Sequence, residues 1–140
     1  MWFKKNKKYL ISTLTVFVVI TVLDMIIHNV LLEDLYLKNS HLFRPMDEIN
    51  KHCYYFMLGN LIFSGAFCYI YSKGHEKTDS VMQGIRFALW IILLMWVPLT
   101  ITSYTIYPHP KNLELAWLLA SSIETIIAGI TVSMVFPKIK

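Results

Sequence analysis

Four stretches of the chain stay apolar for about the 20 residues that a helix needs to cross a 30 Å hydrocarbon core. They run from Tyr9 to Leu32, Tyr54 to Tyr71, Ile85 to Tyr107 and Leu113 to Phe136. Backbone groups in lipid must bond within their own segment, and apolar runs this long suit helices rather than barrel strands. Polar residues between the runs predict the helix ends. Pro45 followed by Asp47 and Glu48 suits a helix start, so the second helix is expected to begin in water and enter the membrane near His52. Gly74 suits its stop. Ser80 with Gln83 has capping-box spacing for the third helix, and Asn112 with Glu114, after Pro108 and Pro110, suits the start of the fourth. The helices expected are 9–32, 45–73, 80–107 and 113–136, with an extracytoplasmic loop over 33–51, in one all-α transmembrane domain that fills the 140 residues. Pro98 lies inside the third helix and predicts a kink there.

Composition agrees with the pattern. The chain is 56% hydrophobic and 16% charged, with a mean hydropathy of +0.51. A soluble domain carries about a quarter charged residues, so a soluble or disordered chain is excluded. The basic pI of about 9.1 does not point to nucleic acid, because the basic residues form no stripe on a polar face. Their distribution reports orientation instead. With the N-terminus inside, Lys4, Lys5, Lys7, Lys8, Lys73, Lys77, Arg86, Lys138 and Lys140 lie in the cytoplasm, against Lys38, Arg44, Lys51 and Lys111 outside. That bias predicts an N-in, C-in polytopic protein. The first apolar run has a basic start but is too long for a signal peptide, and no small-x-small site follows it, so it is expected to be retained. Trp2 and Trp117 fall at opposite interfaces, whereas Trp90 and Trp96 lie deeper and are read as packing residues. Cys53 and Cys68 are fifteen residues apart on one helix, about 22 Å along its axis, and cannot pair.

Candidate chemistry lies in the polar residues within the spans, where an ionisable group is costly. Asp24 and His28 share one face of the first helix, together with Thr21. Glu124 lies on a stripe of small residues on the fourth, with Ala116, Ala120 and Ala128, beside a second stripe of Ser121, Thr125, Gly129 and Ser133. Small residues at this spacing let membrane helices approach closely, so Glu124 is expected to face the bundle interior. Asp24 is about 12 Å and Glu124 about 16 Å below the outer boundary. Asn60 on the second helix, and Thr100, Thr102, Ser103 and Tyr104 on the third, lie at similar depth. A polar cavity in the outer half is therefore expected, lined by Asp24, His28, Asn60, Glu124, Thr100 and Tyr104. Asp24, His28 and Glu124 offer carboxylate and imidazole donors that suit zinc or iron, so a metal ion is the one cofactor the residues point to. Three readings are open: a purely structural hydrogen-bonded core, a site for a cation, proton or small polar ligand, and an acid–base pair. No nucleophile elbow, zinc-protease helix or phosphate-binding glycine loop is present, so a non-enzymatic reading leads. His41, His52, His75 and His109 are read as solvated interface histidines. Leu35, Tyr36, Leu42 and Phe43 form either a cap over the cavity or an ordinary interfacial loop, with Arg44 expected to pair with Glu33 or Asp34 or to bind lipid phosphate.

Several short motifs look familiar together: Asp24-x-x-x-His28 before Leu31-Leu32, Arg44-Pro45, Tyr71-Ser72-Lys73-Gly74, Gly84-Ile85-Arg86-Phe87, and Trp117 ahead of Glu124 and Ala128-Gly129. The chain resembles a group of small four-helix bacterial membrane proteins with no established activity. The resemblance implies a bacterial inner-membrane location and the same four-helix layout, and it transfers no catalytic residue. The function expected is binding of a cation, proton or small polar ligand, with transport by a homo-oligomer as an extension. The alternative is a non-catalytic accessory subunit of a larger membrane complex. Expected partners are membrane lipid and either a second copy or that larger complex.

Overall fold

A computed structural model describes residues 2–76 and 80–137, with side chains from Lys7 onward. Lys77, Lys138 and Lys140, and the side chains of Trp2, Lys4 and Lys5, lie outside the described residues. The chain is all-helical, 88% helix without strands, and four of its helices are long and apolar enough to cross a membrane. Helix α1 (Trp2–Ile26) continues through a π turn (Ile27–Leu31) into the short α2 (Glu33–Lys38). A 3₁₀ turn (Ser40–Leu42) and α3 (Met46–Lys51) lead to α4 (Cys53–Gly74). Then α5 (Val81–Ile91), a π turn (Ile92–Trp96) and α6 (Val97–Ile106) make one long rod, and α7 (Lys111–Val135) closes the bundle.

Burial follows the helical period. On α1, Ser12, Val16, Ile20 and Ile27 are buried, while Leu10, Leu14, Val18, Val22 and Met25 are exposed on the opposite side. An exterior of exposed Leu, Ile, Val and Trp runs along every long helix, the reverse of a water-facing surface. α1 packs on both α4 and α7, and α7 packs most closely on α5. The reason for that closeness is a glycine crossing. A Cβ on Gly84 would overlap the Gly129 carbonyl and reach within 2.8 Å of the Ser133 Cβ, so the two backbones touch. The gap between α4 and α5 is filled by rings instead, Phe67 on Phe87 at 4.7 Å and Tyr71 on Phe87 at 5.5 Å.

The apolar core occupies one end of the bundle, with Val16, Ile20, Phe67, Cys68, Tyr71, Ile91, Ala128 and Val132. At the other end, residues 53–59 of α4 are exposed and none of α6 is buried. Polar groups and the 33–51 segment sit there in place of a greasy core.

Several local expectations differ from what forms. The second helix breaks at His52, which leaves the helical region at φ −108°, ψ 9°. Ser80 makes no side-chain cap; Gln83 donates instead to the Gly74 carbonyl at 3.0 Å and ties the α4–α5 connection. Helix α7 starts at Lys111 with Pro110 as its cap, so Asn112 does not cap it. Around Pro98 the irregularity takes the form of the π turn just before it. Trp90 is 71% exposed and faces outward, not into packing. Arg86 pairs with Glu76 at 3.1 Å, and Arg44 pairs with Glu48 one helical turn away at 3.6 Å, leaving Glu33 and Asp34 without it.

Candidate functional site

Asp24 and His28 lie one turn apart on the last part of the first span, where the π turn begins, and both remain partly exposed. α7 presents Glu124 to them. Its α5-facing stripe includes Gly129, and five residues earlier is about 140° around the helix, so the side packed on α5 fixes Glu124 toward α1. One donor atom from each of Asp24, His28 and Glu124 lies within 4.8 Å of the other two. From α4, Asn60 Nδ2 donates to Asp24 Oδ2. The other carboxylate oxygen, Oδ1, faces His28 Nε2 at 3.8 Å. The Glu124 Oε1 atom is buried and has no hydrogen-bond partner among the described residues.

Thr100 and Tyr104 do not join this group. Tyr104 is 54% exposed, Thr100 is half-buried, and neither has a hydrogen bond to the cluster. The π turn at Ile92–Trp96 is the physical reason. It adds a residue to one turn and rotates everything after it by about 100°, so counting faces straight through it misplaces α6. Trp96 turns inward instead, donating to Thr125 at 2.8 Å, and Ser103 turns toward Glu114.

The short α2 covers the cluster. Tyr36 OH meets His28 Nδ1 at 2.5 Å and accepts from Trp117 Nε1 at 2.9 Å. Phe43 packs edge-on to both Tyr36 at 5.3 Å and Trp117 at 6.2 Å. These three rings form the cap, so the loop is more than an ordinary interfacial connection. Burial raises the Tyr36 phenol above its usual value of 10.0; the Trp117 hydrogen bond opposes that shift, and the Asp24 and Glu124 charges add to it.

A second polar group adjoins the first through Trp117. Glu114 is only 3% exposed. It accepts from Ser103 Oγ at 2.6 Å and pairs with His109 Nδ1 at 2.7 Å. His109 stands edge-on to Trp117 at 5.4 Å. His109 is therefore a partly buried ion-pair partner, not a solvated interface residue, and His75 likewise packs against Tyr71 and Phe136. His41 and His52 are exposed.

Tyr36, Trp117 and Glu114 are the residues that face counting undervalued. Their signal was present: Glu114, Trp117, Ser121 and Glu124 recur at three- and four-residue spacing on α7, one continuous helical face. Reading Glu114 as a helix-start acid hid it. No protein family, curated relative or solved structure matches this chain.

Proposed function

We propose that this chain is a multi-pass protein of a bacterial inner membrane, N-in and C-in, that binds a cation through Asp24, His28 and Glu124 in the outer half of its bundle. The observation that carries the reading is the convergence of two carboxyl groups and an imidazole within 4.8 Å. Two bare carboxylates at that separation repel by about 3 kcal/mol at an effective dielectric near 20. A positive charge between them, a proton or a metal ion, removes that repulsion. Asn60 and Tyr36 hold Asp24 and His28 in place from outside the site, which is how binding groups are kept in register.

The accessory-subunit alternative requires the small-residue stripe of α7 to face a partner. Thr125, Gly129 and Ser133 are buried on the α5 side of this chain, which favours the cation reading. Transport by a homo-oligomer extends it, since four helices are few for a transporter acting alone.

The test is thermal stability of the purified protein in nanodiscs as pH and divalent-metal concentration are varied. The wild type is expected to respond to one of the two cations. D24N/E124Q, which removes both charges at nearly constant size, is expected to lose that response. An identical response in the double variant would exclude cation binding at this site. Reporter fusions at both termini check orientation, and both are expected to read as cytoplasmic.

A further inference from the structure

We infer that the cation is a divalent first-row transition metal ion such as Zn²⁺, ligated by Asp24 Oδ1, His28 Nε2 and Glu124 Oε1, with Tyr36 and Asn60 as the positioning residues. This rests on the cation reading above and narrows it.

The donor set is the first reason. One imidazole nitrogen with two carboxylate oxygens suits zinc, iron or manganese, whereas calcium and magnesium take oxygen alone. Three protein ligands also leave a fourth position open for water or an exchanging ligand.

Spacing is the second. Tetrahedral bonds of about 2.1 Å set two donors about 3.4 Å apart. His28 Nε2 and Asp24 Oδ1 stand at 3.8 Å. That is too long for a hydrogen bond and within a few tenths of an ångström of a pair that shares an ion.

The surrounding hydrogen bonds supply the third. Neutral histidine has one N–H and one lone pair, and the partner of one nitrogen decides which the other carries. Trp117 Nε1 is a donor only, so Tyr36 oxygen accepts from it. The same oxygen has a second lone pair, and His28 Nδ1 stands against it. With Nδ1–H donated to Tyr36, Nε2 keeps its lone pair and faces the carboxylates. Asn60 engages Asp24 Oδ2 and leaves Oδ1 for the ion. Glu124 Oε1, buried with no hydrogen-bond partner among the described residues, is the third donor.

The experiment titrates the purified chain in nanodiscs with Zn²⁺ by calorimetry and with Co²⁺ by visible absorption, which reports the ligand field directly. Wild type is expected to bind one Zn²⁺ per chain and to give the Co²⁺ bands of a four-coordinate nitrogen–oxygen site. H28A and D24N/E124Q are expected to lose both. Y36F keeps all three ligands and is expected to bind Zn²⁺ about 10–100-fold more weakly, at the same stoichiometry. A merely structural role for Tyr36 would lower thermal stability and leave Zn²⁺ affinity alone, which overturns its assignment. Should H28A fail to fold, H28Q serves, because His28 is partly exposed. Wild-type Zn²⁺ binding no tighter than that of H28A or H28Q overturns the metal assignment. The cation reading survives that result if D24N/E124Q still abolishes the pH response of stability, and falls with it if the response persists.

Discussion

Substituting Gly129 by alanine tests how the bundle is built, because its Cα faces the backbone of α5. A Cβ placed there would lie 2.9 Å from the Ala88 Cβ and 3.0 Å from the Gly84 carbonyl carbon. On Gly84 the added carbon would lie 2.7 Å from the Gly129 carbonyl carbon and 2.8 Å from the Ser133 Cβ. Carbon atoms rest at about 3.5 Å or more, so α5 and α7 must part by roughly 0.7 Å. No rotamer change relieves the overlap, since the obstacle is main chain. A gap of that size forfeits about a quarter to a half of each van der Waals contact along the seam. Overpacking costs about 1–3 kcal/mol and occasionally more, and a backbone obstacle places G84A and G129A near about 3 kcal/mol. The control is Gly59→Ala, where nothing lies within 4 Å of the new methyl. It replaces a helical glycine in open surroundings and is expected to stabilise by about 0.5–1 kcal/mol. Equilibrium unfolding of the micelle-bound protein, titrated with a denaturing detergent, reads all three. G84A and G129A as stable as G59A would refute a backbone-to-backbone crossing. The same seam sets the rotation of α7, so G129A is also expected to weaken cation binding at Glu124 without touching a ligand.

Other outcomes follow from the same contacts. Trp90→Ala is expected to change stability by no more than about 0.5 kcal/mol in the same unfolding titration, because its ring faces outward at 71% exposure. Glu114→Ala leaves the Ser103 hydroxyl and the His109 imidazole without their acceptor and is expected to cost about 1–3 kcal/mol; a loss below half a kcal/mol would refute the buried polar group. Maleimide labelling of the folded protein is expected to modify Cys53, which is exposed, and to spare Cys68, which is buried. C53S should then abolish labelling, checked by intact-mass measurement.

Sequence alone determined the number, length and apolar character of the long helices, because the demand for about 20 apolar residues per crossing is local and each segment must meet it by itself. It also placed Asp24, His28, Asn60 and Glu124 at one depth, since rise per residue converts position into height without knowledge of neighbours. Asp24 and His28 one turn apart, and Glu124 on a stripe of small residues, carried enough periodicity to predict that they turn inward together. Rotation was the quantity that single-helix reasoning lost. One extra residue in the π turn at Ile92–Trp96 swung Tyr104 outward and Ser103 toward Glu114, and no hydropathy pattern marks that insertion. The fold of the 33–51 segment was equally hidden, because Tyr36, Phe43 and Trp117 find one another across 81 residues of chain at most, through ring packing that only the assembled bundle makes possible. Tertiary structure likewise decided that Gly84 and Gly129 meet. Each glycine is unremarkable in its own helix, and their importance lies in the distance between two backbones.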